Sequence, residues 1–127
     1  MSIELNLTDN EWDILKIIWA KQPCTLRTIC DEINKQHPWT RHAVISFLKR
    51  METKGSIKVE DASPVKLYRA AFKQDEAIRA QLDNTLTRVF DDNPLMMVSY
   101  LSKTNNLSDD DIEQMIAILK GQEKNGK

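Results

Sequence analysis

The chain has 127 residues, a length that suits one domain or a small domain with an appended oligomerisation element. Its 41% hydrophobic and 29% charged residues supply a core and exclude a disordered polyelectrolyte, and the net charge of −1 excludes indiscriminate binding to polyanions. No run approaches the roughly 20 apolar residues of a membrane span, the N-terminus lacks the regions of a signal peptide, and Cys24 and Cys30 form no disulfide framework, so a cytoplasmic protein without a membrane partner is expected.

That net charge conceals an asymmetry. Residues 1–73 hold 12 Lys/Arg against 9 Asp/Glu, or +3, whereas residues 74–127 hold 6 against 10, or −4. In chain order, Thr8-Asp9-Asn10-Glu11 reads as a capping box that starts a helix burying Trp12, Leu15, Ile18 and Trp19, with Pro23 ending it. A second short helix starts at Thr25 and carries Leu26, Ile29, Cys30 and Ile33 on one face, up to the break at His37-Pro38.

Trp39-Thr40 begins a third helix over 40–54, whose two faces have separate jobs. Val44, Phe47, Leu48 and Met51 recur at the spacing of a buried stripe, while His42, Ser46, Lys49 and Thr53 project from the other side. From Trp39 to Lys58 the basic residues are Arg41, Lys49, Arg50, Lys54 and Lys58 against the single Glu52, so positive potential is concentrated here. Gly55 stops the helix. The alternating run Ile57–Glu60, a turn at Asp61-Ala62-Ser63-Pro64 and a second run Val65–Tyr68 predict a β-hairpin. Three short helices and a hairpin outline a winged helix-turn-helix, and residues 1–73 form the expected DNA-binding domain.

From residue 74 the pattern predicts helices only, giving a mainly α chain with one small β-hairpin. Ile78, Leu82, Leu86, Val89 and Phe90 fall on one stripe; Asn93-Pro94 starts a helix continued by Leu95, Val98 and Leu101. Ser108 and Asp109–Asp111 cap a last helix bearing Ile112, Met115, Ile116 and Leu119, and the polar tail from Gly121 is expected to fray. A unit of about fifty residues cannot bury all these stripes alone, so residues 74–127 are expected to form a dimerisation domain that pairs with a second copy.

The outward face of the third helix carries the candidate chemistry. His42, Arg41 and Lys49 can donate to bases or phosphates, although each also reads as a solvated polar group; Ser46 is small enough for a base-edge contact, and Ile45 at the edge can meet a thymine methyl group. Arg50, nearer the flank, is expected to meet a phosphate or a carboxylate within the protein. Thr25, Arg27 and Thr28 can face a phosphate, with Thr25 equally good as a simple cap; Thr40 and Lys66 complete the candidate DNA-contact set. The cysteines lie on apolar positions with no ligand constellation, so no metal or other cofactor is expected. Trp12, Trp19 and Trp39 read as core anchors. Gly-rich phosphate loops, His-Glu-x-x-His and nucleophile elbows are absent from the sequence, and Asp109–Asp111 is explained by helix capping, so an enzyme with catalytic residues is not expected.

Taken together, Leu7–Leu15 with Ile18-Trp19-Ala20, Trp39-Thr40 with Val44, Phe47-Leu48 and Arg50, Lys54-Gly55, and Leu67-Tyr68 resemble the penicillinase-repressor family of bacterial winged-helix regulators, which includes β-lactamase and methicillin-resistance repressors and copper-responsive relatives. The resemblance spans nearly the whole chain, extending weakly to Leu107-Ser108 and Ile112-Glu113. It implies a homodimer that occupies an inverted repeat in double-stranded DNA and blocks transcription, with a regulatory protease or antirepressor as a further partner. The chain departs from the family pattern in four places. Ala43 and Ile45 stand where relatives often have Thr and Lys, and the wing tip is Ser63-Pro64-Val65 where Gly-Arg-Lys is common. The tail from Gly121 lacks the Cys-x-Cys pairs of the copper branch. The stretch Val98-Ser99-Tyr100-Leu101 lacks the Asn-Phe pair at which some members are cleaved. A ligand-sensing winged-helix regulator and an interaction module with weakened DNA binding are the alternative readings.

Overall fold

A computed structural model describes residues 6–124. Among them the order is α1 (Asp9–Lys21), α2 (Leu26–Ile33), α3 (Arg41–Lys54), β1 (Ile57–Asp61), β2 (Lys66–Ala70), α4 (Gln74–Phe90), α5 (Pro94–Thr104) and α6 (Asp109–Lys124). Two compact units divide between Leu82 and Asp83, inside α4. The first turns of α4 therefore belong to the N-terminal unit, beyond the expected boundary at 73/74.

Helices α1, α2 and α3 each start on a threonine. Thr8, Thr25 and Thr40 accept the amides of Glu11, Thr28 and Ala43, which satisfies one otherwise orphaned donor per helix. Gly55 ends α3 in the left-handed region, at φ 85°, which a residue without Cβ adopts readily. Ile14, Leu15 and Ile18 of α1, Ile29 and Ile33 of α2, and Val44, Leu48 and Met51 of α3 make one core with Ile57 and Tyr68 of the hairpin. Trp19, Trp39 and Phe47, expected in that core, are only half-buried at its rim, and Trp12, also half-buried, packs on Trp19 with ring centroids 6.0 Å apart.

The hairpin is antiparallel, with Ile57 opposite Ala70 and Asp61 opposite Lys66. Its second strand runs two residues further than the sequence pattern predicts, and Val65 lies in the connecting loop, where its carbonyl accepts from the Ala62 amide. The shift is one of register: with the loop at 62–65, Arg69 and Ala70 pair with Lys58 and Ile57 of β1. On its other side Tyr68 exchanges backbone hydrogen bonds with Cys24 in a short bridge, and the Gln22 side chain accepts from the Ala70 amide.

Glu11 is the unexpected member of the core. Its residue is 0% exposed, its Oε1 accepts from the Thr8 amide, and the same oxygen lies 2.7 Å from Lys54 Nζ. Lys54 also donates to the Asn6 carbonyl. The pair joins the first turn of α1 to the last turn of α3.

In the C-terminal unit, Asn93 caps α5 by accepting from Leu95 and Met96, while Ser108 and Asp111 exchange bonds at the start of α6. Asp91 and Asp92 connect α4 to α5 at positive φ, where Thr87 donates to the Asp92 side chain and the Asp92 amide donates to Leu86. Phe90 and Tyr100 pack ring to ring with centroids 6.0 Å apart. A groove of about 520 Å³ between α5 and α6 is walled by Val98, Met115, Ile116 and Leu119. Gly121 does not end α6, which continues to Lys124, because three carboxylates at its start and Ala117, Leu119 and Lys120 near its end favour helix strongly enough to carry one glycine.

Removing the Lys54 ammonium leaves a carboxylate buried without its counter-charge. We expect Lys54→Met to lower unfolding free energy by roughly 2–3 kcal/mol, less than for a fully buried pair because the lysine side chain is 29% exposed. Lys54→Met combined with Glu11→Gln should recover part of that loss; urea unfolding of the three proteins measures both.

Candidate nucleic-acid interface

Burial of Val44, Leu48 and Met51 fixes which side of α3 faces out. Arg41, His42, Ser46, Lys49 and Arg50 are exposed on it, Ala43 and Ile45 are half-buried at its margins, and Thr40 is spent on capping. Lys49 carries no carboxylate partner among the described residues, and Thr53 bonds back to its carbonyl. The charge is therefore available to solvent or to a polyanion.

Two cations expected on this face have different surroundings. Lys54 is drawn to Glu11, which takes one positive charge out of the patch. Arg50 forms no ion pair with a carboxylate among the described residues; its guanidinium lies over the Phe47 ring, 5.7 Å from the centroid. Phe47 in turn packs on Trp39 at 4.8 Å, Trp39 stacks on His37 at 4.2 Å and 8°, and His37 Nε2 sits 2.8 Å from the Asp13 carboxylate. This ladder runs from α1 through the α2–α3 connection to the exposed margin of α3. Residue spacing along one helix does not reveal it, because four of its five members lie outside the stripes that define the core.

A second patch is built from three elements. Arg27 of α2, Arg41 of α3 and Lys66 of β2 line a cleft of about 540 Å³ together with Thr25, Leu26, Pro64, Val65 and Tyr68. Thr25 accepts from the Thr28 amide and donates to its hydroxyl, so both threonines are engaged locally at the start of α2. Of the sequence-derived candidates, the structure thus gathers Thr25, Arg27, Arg41 and Lys66 around one cleft, with Thr28 beside it, and sets His42, Ile45, Ser46, Lys49 and Arg50 along the face of α3.

Both thiols are held above their ordinary ionisation range by burial; for Cys30 the neighbouring Arg41 opposes that shift in part. Burial likewise raises the Tyr68 phenol, reinforced by Glu52 and opposed by Arg41. Cys24 is buried and Cys30 half-buried, and no group of three or more His, Cys, Asp or Glu converges on a metal position among the described residues. No helix there is long and apolar enough to cross a membrane.

The family profile described as penicillinase repressor matches residues 7–121. The methicillin resistance regulatory protein MecI of Mammaliicoccus sciuri is similar, with 23% identity over 113 residues, covering 89% of this chain and 92% of that protein. The penicillinase repressor of Bacillus licheniformis is 22% identical over 121 residues, covering 95% and 94%. Among solved structures, the monomeric form of Bacillus licheniformis BlaI in complex with the blaP half-operator superposes with a TM-score of 0.53 at 20% identity, covering 60% of this chain and 93% of that one. The likeness is one of fold, the winged helix.

The contact between Trp39 and Phe47 should be measurable as a coupling. In a double-mutant cycle of Trp39→Leu and Phe47→Leu, followed by urea unfolding, we expect about 0.5–1.5 kcal/mol of interaction energy. Strict additivity would mean that the ladder does not hold α3.

Proposed function

Because the chain belongs to the penicillinase repressor family, we propose that it is a DNA-binding transcriptional repressor that acts as a homodimer on an inverted-repeat operator. The observation that carries this reading is the exposed face of α3, where Arg41, His42, Ser46 and Lys49 stand on a helix anchored by three buried apolar residues. A helix of this diameter fits the major groove of B-DNA, and its outward donors are of the kinds that meet base edges and phosphates. The BlaI structure on its half-operator lends the same reading, since that protein shares this fold.

In the proposed complex, Ser46 and Lys49 address base edges and Ile45 meets a thymine methyl group. Arg41, His42 and Arg50 flank them toward phosphates, and Thr25, Arg27, Thr28, Thr40 and Lys66 supply contacts at the mouth of the groove. Ser63-Pro64-Val65 at the wing tip offers no cation, so the salt-dependent part of affinity comes from the helices and Lys66. Dimerisation is assigned to residues 74–120. Leu95 is 79% exposed and Val89 60%, and Ile78, Leu82, Leu101, Ile112 and Leu119 are exposed beside half-buried Leu86, Phe90 and Met115, more apolar surface than a monomer ordinarily leaves in water. Val98 and Ile116 add to it. A regulatory protease or antirepressor would release DNA by undoing that dimer, and the site of action is the cytoplasm, where the DNA lies. No catalytic role is proposed for any residue.

Gel-shift titration and binding-site selection test the DNA half. The selected operator should contain half-sites about 10 bp apart centre to centre or a multiple of that spacing. Lys49→Ala should either relax one base pair by roughly 1–3 kcal/mol or weaken all sequences alike and flatten the salt slope by about one unit. An unchanged consensus in Ile45→Lys and Ser46→Ala would contradict base reading by this face.

For the dimer, sedimentation of the wild type at micromolar concentration should give two chains. Val89→Asp, a change at a position exposed within one copy, should give monomers and lose tight operator binding in the same variant. A monomeric wild type would refute the assignment.

A further inference from the structure

The cleft between α2, α3 and the wing has a lining that DNA contact alone does not account for. Arg27, Arg41 and Lys66 converge on it from three elements, and none of the three has a carboxylate within ion-pair distance among the described residues. Like charges held together in a concave site raise the local concentration of an anion. Of the remaining lining Thr25 is polar, and Leu26, Pro64, Val65 and the ring of Tyr68 make apolar walls. The charged oxygens of a backbone phosphate answer the three cations, not the apolar walls. The volume of about 540 Å³ lies in the range of small-molecule sites, which combine a few placed polar groups with apolar walls. Val65 adds to this, since it lines the cleft from the connecting loop and is 47% exposed.

We infer that this cleft binds a small organic anion, a carboxylate on an apolar body, and that such an anion competes with DNA. The carboxylate lies between the guanidinium groups of Arg27 and Arg41, which offer planar paired donors, with Lys66 as a third charge. The apolar body lies against Leu26, Val65 and Tyr68. Competition follows from shared cations and rests on the DNA-contact reading above; the binding site does not.

Benzoate is a suitable probe, with inorganic phosphate and benzyl alcohol as its charge-only and ring-only controls. In ¹⁵N chemical-shift titrations of the full chain, benzoate should move the amides of 25–27, 41 and 65–68 saturably at millimolar concentration. Each control should bind at least about tenfold more weakly. Arg27→Gln with Lys66→Gln should weaken benzoate by about tenfold, and the wild-type shift map decides the matter even if that variant does not fold. No localised shift, or equal binding of phosphate (a phosphate seat only) or of benzyl alcohol (an apolar contact only), would overturn the site. In parallel gel shifts, benzoate should raise the protein concentration needed to retard DNA; benzoate binding with unchanged DNA affinity would overturn the competition. A chain that binds DNA but not benzoate refutes the site alone, and one that binds benzoate but not DNA refutes the functional reading and with it the competition, while leaving the site.

Discussion

The Glu11–Lys54 pair sets the frame on which the exposed face of α3 depends. A carboxylate at 0% exposure is costly unless its charge is answered, and here one oxygen receives both the Thr8 amide and the Lys54 ammonium. The other oxygen, Oε2, is buried without a partner. Replacing such a pair by apolar residues is often neutral for stability, so its value here is better sought in geometry: it clamps the first turn of α1 to the last turn of α3. Gly55 follows at once, so the hairpin leaves from a helix end whose position is fixed.

At the other end of α3 the restraint is aromatic. Asp13, His37, Trp39 and Phe47 form a continuous ladder, with Arg50 laid over its last ring. The core stripe of Val44, Leu48 and Met51 sets the rotation of α3 about its axis, the ion pair sets its C-terminal end, and the ladder sets its approach. A helix restrained in these three ways keeps its outward side chains in register. That is what a reader of base edges requires, because an error of about 1 Å at a bidentate contact is enough to lose it.

Much of this was legible in the sequence, because the caps and stripes are local. Thr8, Thr25, Thr40 and Gly55 delimit three helices by side-chain chemistry within four residues, and the period of Val44, Leu48 and Met51 separates the two faces of α3. The ion pair was not, although a signal existed: Glu11 falls on the same stripe as Ile14, Leu15 and Ile18, an odd place for a charge that serves only as a cap. Lys54 read as part of the positive patch because its partner lies 43 residues away. The two-residue extension of β2 escaped because the connecting loop is 62–65 and not 61–64, a register that pairs Arg69 and Ala70 with Lys58 and Ile57. The tryptophans look like core residues by type, yet their polar or planar edges keep them at the rim, as with Trp19, whose indole donates to the Phe72 carbonyl.

The central claim is that the outward face of α3 reads DNA, and its most direct test is a crystal structure of the chain on the duplex returned by binding-site selection. The account predicts α3 in the major groove with Ser46 and Lys49 within hydrogen-bond reach of base edges, and Arg41 beside the sugar-phosphate backbone. A complex in which α3 lies outside the groove while another element enters it would contradict the account.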